Sequence, residues 1–133
     1  MLINKVIKKS FSVKILSNLT FTKDFYSAVE KWLLTKGKHL ELVIAPGEGC
    51  GGFTYVFESK NDMPPEDHLK LVRDGRVYFT INKDFVNFVE GGIVDFEDDL
   101  HKTGFVVKEN PNAELTCSCK RSFSPKGSLF DKF

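Results

Sequence analysis

The stretch that decides the fold runs from Leu40 to Glu58 and reads LELVIAPGEGCGGFTYVFE. Leu40, Leu42 and Ile44 alternate with more polar neighbours until Pro46 and a run of glycines interrupt them. Phe53, Tyr55 and Phe57 then resume the alternation. A period of two on both sides of a break reads as two strands. Cys50, inside Gly47-Glu48-Gly49-Cys50-Gly51-Gly52, should therefore sit on a tight connection between them.

Working outward, His68–Val72 and Arg76–Ile81 are strand-like and meet at Asp74-Gly75, a strong hairpin signal. Asn61–Pro65 reads as a loop, because Pro64-Pro65 stops any regular element. Ile93–Phe96 and Gly104–Lys108 read as short strands around a polar, acidic link, and Asn110-Pro111-Asn112 as a turn. Two helices are expected. The first spans 22–36, with Thr22 as N-cap, Asp24 in the first turn, an apolar stripe of Phe25, Ala28, Val29, Trp32 and Leu33, and Gly37 at its close. The second spans 83–89, with Phe85, Phe88 and Val89 on one face and Gly91-Gly92 after it. From Glu114 onward the periodicity fades into Ser, Lys, Gly and Pro, which reads as a flexible C-terminal tail. The sum is a single α+β domain, rich in short strands.

At 133 residues with 41% apolar side chains, the chain is long enough to bury a core, and 13 Phe supply much of its volume. The net charge of +1 hides an asymmetry. Residues 1–21 hold Lys5, Lys8, Lys9 and Lys14 and no acid, whereas the remainder carries 15 basic against 18 acidic groups. A mildly acidic body is a poor binder of phosphate backbones, so nucleic acid is not the expected partner. No apolar run approaches the length of a membrane span. The basic, serine-containing, acid-free segment 1–18 has the composition of an organellar presequence, leaving 19–133 as the domain.

The chemistry concentrates in the three cysteines. Cys50 stands among glycines, and Cys117-Ser118-Cys119 lies in the tail. A glycine-ringed cysteine and a Cys-x-Cys in a polar segment are unlike core thiols, and an odd count argues against a disulfide framework. Three thiolates are one short of the four that a structural zinc or an iron–sulfur cluster takes, so a site built from them must borrow a ligand, and another chain is the natural lender. Metal or cluster binding, thiol redox chemistry and inert thiols all stay open on the residues alone. Glycines beside Cys50 would let backbone N–H groups approach a cluster's sulfides. Nothing else competes: GEGCGG lacks the Gly-Lys-Ser/Thr of a phosphate loop, His39, His68 and His101 have no ligand-like spacing, and Glu97-Asp98-Asp99 reads as a solvated face.

With the thiols placed, residues 19–125 resemble the A-type iron–sulfur carriers of the HesB/IscA family. The resemblance rests on several stretches in order. These are Leu40–Glu58 with its glycine turn around the cysteine, Gly91-Gly92-Ile93-Val94-Asp95-Phe96, Gly104-Phe105, Asn110-Pro111-Asn112-Ala113, and Cys117-Ser118-Cys119 followed by Ser122-Phe123-Ser124. Cys-Ser-Cys and Phe53 are most similar to the second mitochondrial paralogue, the Isa-two type. Two positions depart from the family. Lys120 stands where a glycine usually follows the second tail cysteine, with Arg121 beside it, and Gly51-Gly52 replaces Ser-Gly after Cys50. Cations next to the tail thiols favour thiolate.

The resemblance implies a HesB-like fold and a carrier rather than an enzyme. It implies that Cys50, Cys117 and Cys119 bind a [2Fe–2S] or [4Fe–4S] cluster, or iron. It implies a homodimer or a heterodimer with a first-type A carrier, a glutaredoxin cluster donor, a folate-binding-like helper protein and apo iron–sulfur recipients. It places the protein in the mitochondrial matrix or a mitochondrion-derived organelle, where it would support maturation of [4Fe–4S] proteins. The rival readings are a thiol–disulfide redox protein using the Cys117–Cys119 pair and a donor of mononuclear iron.

Overall fold

The computed structural model describes residues 19–46, 52–100, 103–116 and 122–125. Segment 1–18, expected from its composition to be a presequence, lies outside them. The elements in chain order are β1 (Thr20–Phe21), α1 (Lys23–Trp32), β2 (His39–Pro46), β3 (Phe53–Lys60), β4 (His68–Arg73), β5 (Arg76–Asn82), β6 (Ile93–Asp98), β7 (Thr103–Val107), β8 (Ala113–Thr116) and β9 (Ser122–Pro125). They form a six-stranded sheet in the order β4-β5-β2-β3-β9-β8 and a three-stranded sheet in the order β1-β6-β7. Most neighbours are antiparallel, but β2 with β5 and β1 with β6 are parallel, so both sheets are mixed.

The alternation in Leu40–Glu58 becomes a hairpin. β2 and β3 pair from His39↔Lys60 to Pro46↔Phe53 without a break. Leu40, Leu42 and Ile44 face the core, and Tyr55 is buried from the other strand. The second hairpin turns where Asp74-Gly75 requires it. Asp74 has φ 55° and Gly75 φ 77°, the pair of positive angles that matches a two-residue turn to strand twist.

Between the sheets lies α1. Thr22 caps it by accepting the Phe25 N–H at 3.1 Å, and Asp24 sits in the first turn. Phe25 and Val29 are fully buried on the inner stripe, against Phe79, Leu42, Ile81, Val94 and Val107. Phe25 packs its ring against Phe21, Phe79 and Phe105 at centroid separations of 4.8, 6.0 and 5.8 Å. Burial of each such ring stabilises the fold by about 2–3 kcal/mol, so the phenylalanine-rich composition is spent at this seam. Asp95 on β6 ties the helix entry to the small sheet. It accepts the Thr22 hydroxyl, and Lys108 lies 3.5 Å away. Burial alone would raise its carboxyl, but Thr22, the Phe96 N–H and Lys108 outweigh that and hold it below the usual aspartate value.

The structure corrects three expectations. The first helix ends at Trp32, and Leu34–Lys36 continues as a 3-10 turn closed by Gly37 at φ 72°. The second helix is a single 3-10 turn, Val86–Phe88. Its N–H groups reach back three residues, Phe88 to Phe85 and Val89 to Val86, since a segment of this length cannot carry the nucleation cost of an α-helix. The segment after Glu114 is not wholly irregular: β8 and β9 pair with each other, and β9 with β3. Among the described residues no helix is long and apolar enough to cross a membrane.

Candidate functional site

Two cysteine-bearing connections are rooted on one row of paired strand positions. The β2–β3 ladder ends at Pro46↔Phe53, and residues 47–52, with Cys50, join those two positions. Phe53 pairs in turn with Phe123, and Phe123 with Thr116. Residues 117–121, with Cys117 and Cys119, join Thr116 to Ser122. Pro46, Phe53, Phe123 and Thr116 are thus neighbours across four strands, and adjacent strands lie about 4.8 Å apart. Cys117 follows Thr116 directly, and Cys50 is three residues from Phe53. The three cysteines themselves, and Lys120 beside them, lie outside the described residues. What the described backbone establishes is that 66 intervening residues are folded away, leaving the roots of the two segments side by side. Gly52 stands on one side of this row, and Ser122, which pairs with Thr54, stands on the other.

Behind this row the support is apolar and then polar. The Phe53 ring packs on Phe88 at 5.1 Å. Tyr55, two residues along β3, is 6% exposed, and its hydroxyl accepts a 2.8 Å hydrogen bond from Asn110 Nδ2. Burial pushes its phenol up to about 12, against the opposing pull of the Asn110 bond. The Asn110 turn stands immediately before β8, so the Asn-Pro-Asn stretch lies beneath the strand that leads to Cys117.

A second polar grouping was missed in the sequence. His39 and His68 were read as scattered, yet both are buried and line one open pocket of about 300 Å³ with Glu41, Lys60, Asp62 and Met63. His68 Nδ1 lies 3.9 Å from Glu41 Oε2 and has no hydrogen-bond partner among the described residues. Burial lowers the His39 pKa, with Glu41 pulling the other way and His68 adding to the fall. The signal was topological: β5 lies between β2 and β4, and the pairing of Glu41 with Thr80 and of His68 with Asn82 puts His39, Glu41 and His68 on one face of the sheet. Among the described residues, no group of three or more His, Cys, Asp or Glu side chains is placed to hold a metal ion.

No protein-family model matches the chain. Curated relatives do. The chain is 35% identical over 101 residues to the human protein described as iron-sulfur cluster assembly 2 homolog, mitochondrial, covering 75% of this chain and 64% of that one. It therefore spans less than two thirds of that relative's length. It is 37% identical over 108 residues to a putative iron-sulfur cluster insertion protein ErpA 2 of Polaromonas naphthalenivorans, covering 80% of this chain and 84% of the relative. Against the iron-sulfur cluster insertion protein ErpA of Francisella philomiragia the identity is 32% over 114 residues, covering 84% and 96%. Among solved structures, IscA with a [2Fe–2S] cluster superposes with a TM-score of 0.63 at 26% identity, over 81% of this chain and 97% of that one. Escherichia coli SufA, involved in biosynthesis of iron–sulfur clusters, gives 0.63 at 28% identity, over 81% and 93%. Sequence and fold agree along nearly the whole described domain, and the chain belongs to the A-type iron–sulfur carriers of the HesB/IscA family.

Proposed function

We propose that this protein receives or helps assemble an iron–sulfur cluster and passes it to apoproteins, with Cys50, Cys117 and Cys119 as its thiolate ligands. The observation that carries this reading is the row Pro46–Phe53–Phe123–Thr116, which roots all three cysteines on neighbouring strands. The donor set suits the cargo. Thiolates are the ligands iron–sulfur clusters take, and four are needed where one chain offers three. A second chain, or the recipient itself, supplies the fourth. Transfer is then ligand exchange: an incoming thiolate replaces one of the carrier's, with no covalent turnover of a substrate and no enzyme cycle. Two chains together hold six thiols for a four-ligand cluster, and the spare ones offer intermediate ligands during the handover.

The likeness to a mitochondrial assembly protein supports a finer reading. In it the protein works in the mitochondrion, segment 1–18 directs it there, and it serves [4Fe–4S] recipients as a dimer with itself or with a first-type A carrier. A glutaredoxin would be the donor and a folate-binding-like protein the helper. The bacterial relatives serve as the comparison for how much of this is specific to the organelle.

Anaerobic reconstitution with ferrous iron and sulfide tests the central claim. The expected product is a brown dimer with matched iron and acid-labile sulfide. Cys50→Ser and Cys119→Ser should each lose most of that yield; full yield in either variant overturns the ligand assignment. Tight iron binding with no acid-labile sulfide would instead indicate an iron donor. Reversible Cys117–Cys119 disulfide formation with reductase activity would indicate a redox protein.

A further inference from the structure

Asn110 uses every hydrogen-bonding group of its side chain. Its Nδ2 donates to the Tyr55 hydroxyl at 2.8 Å and to the Phe88 carbonyl at 2.7 Å. Its Oδ1 accepts the Asn112 N–H at 3.0 Å and Asn112 Nδ2 at 3.2 Å. Asn112 Nδ2 also donates to the Glu90 carbonyl at 2.7 Å, and the Ala113 N–H donates to the Asn110 carbonyl at 3.1 Å. The side-chain amide thus joins β3, the 3-10 turn at Val86–Phe88 and Asn112, while the main-chain carbonyl of the same residue holds the first residue of β8.

The glycine pair on the other side of this junction is there because the two turns touch. A Cβ on Gly91 would come within 2.9 Å of Pro111 Cγ, and Gly91 has φ +85°. A Cβ on Gly92 would meet the Val89 and Glu109 carbonyl oxygens at 2.9 and 3.0 Å. Gly91-Gly92 and Asn110-Pro111-Asn112 are therefore two halves of one knot, although 17 residues separate Gly92 from Asn110.

The knot has a position that matters. Ala113, tied to it directly, opens β8, and β8 ends at Thr116, one residue before Cys117. The far end of β8 is held to β3 through Phe123, at Phe53, and the near end through Asn110, at Tyr55. Phe53 is also the root of the Cys50 segment. The roots of both cysteine segments are thus referred to Phe53 and Tyr55 of β3.

We propose that Asn110 is a positioning residue for the cluster: by fixing the turn before β8 to Tyr55 and Phe88 it sets how Thr116, from which the Cys117–Cys119 segment departs, stands relative to Phe53, to which the Cys50 segment leads, and so how firmly a cluster is held. Removing it keeps all three thiols in the chain but loosens the frame between the roots of their segments. Groups that orient metal ligands from behind change affinity or activity by about 10–100-fold when lost. This inference rests on the cluster-carrier reading.

The test is Asn110→Ala in the full chain, reconstituted beside the natural protein and beside Tyr78→Phe. Tyr78 donates to Glu30 at 2.7 Å from β5, a hydrogen bond that joins the sheet to α1 and makes no contact with the knot, so its loss controls for stability. Asn110→Ala is expected to bind cluster with an altered visible circular dichroism spectrum and to lose it to a chelator or an apo-ferredoxin about tenfold faster or more. Tyr78→Phe should lower thermal stability without altering either readout. If Asn110→Ala does not fold, Tyr55→Phe, which removes one of the two Nδ2 acceptors and keeps the ring, is expected to show the same change at smaller amplitude. Unchanged spectrum and release in the folded variant overturns the inference, as does an equal change in Tyr78→Phe. Failure of the natural chain to take up cluster at all would overturn the carrier reading instead.

Discussion

Tyr55 yields the sharpest energetic prediction because its environment is closed and its partner is known. The hydroxyl is 6% exposed as part of its residue, and burial raises the phenol from 10.0 to about 12. A group whose folded pKa lies above its unfolded one favours the fold while it stays protonated in both states. That advantage is complete below about pH 10 and is lost as pH rises toward the folded value. Two pKa units correspond to about 2.7 kcal/mol, of which about 1.9 kcal/mol is gone by about pH 11.5. Tyr55→Phe removes the titration and also removes the acceptor for one Asn110 hydrogen, at a cost of about 0.5–1.5 kcal/mol near neutrality.

The two stability curves must therefore cross. Near pH 8 the natural chain should be the more stable by about 1 kcal/mol, and near pH 11.5 the less stable by a similar amount, with equality at roughly pH 11. The assay is urea unfolding by far-ultraviolet circular dichroism at a series of pH values, thiols reduced throughout. Every other titrating group is common to the two proteins, so its contribution cancels in the difference. A gap that stays constant from pH 8 to 12 refutes the reasoning, because it would mean that Tyr55 ionises in the fold as freely as in the unfolded chain.

Three further outcomes follow from the same structure. Gly91→Ala should lower stability by about 1–3 kcal/mol in a thermal melt, since it forces a Cβ onto a left-handed residue that already stands 2.9 Å from Pro111 Cγ; a neutral effect would show that the two turns do not touch. Asp95, held below its usual value, contributes stability that is present above about pH 4 and lost as pH falls through the folded value. Asp95→Asn should flatten that acid limb and weaken the tie to Thr22 and Lys108, and an unchanged acid titration of stability would refute it. His39 is buried with a lowered pKa among Glu41, His68, Asp62 and Lys60. Because it stays neutral in the fold, stability should begin to fall as pH drops below about 6.5, and His39→Gln should remove that part of the slope.

Much of this architecture is legible along the chain because burial writes a period. The alternation on either side of Pro46 reports a hairpin with one face inward, and Asp74-Gly75 reports a turn that needs two positive φ angles. Where the period is too short, the reading fails for a physical reason. Thr20–Phe21 makes only two parallel pairs with β6, a strand no alternation can announce. Residues 83–89 have a helical face, but Asn82 offers its side-chain oxygen to the Asp84 N–H, and the chain tightens into a 3-10 turn. β8 and β9 are four residues each, too short for their pairing to be seen against the Ser, Lys and Pro around them.

The candidate site is legible in a different way. Residue type and count identify the thiols, since three cysteines of this spacing are short of a full ligand set. The nearness of the roots of their two segments is not encoded locally at all: it depends on Phe53 pairing with Phe123, 70 residues away. The Asn110 knot lies between these cases. Its two motifs are visible as turn signals, and each alone means only that the backbone bends. Their mutual contact follows from β6 and β7 being antiparallel neighbours, with Val94 opposite Val107. That pairing carries the residues just before Ile93 toward those just after Val107, so Gly91-Gly92 meets Pro111. The glycines are thus required by a partner turn across the sheet, and that partner is the turn from which β8, the strand leading to Cys117, departs.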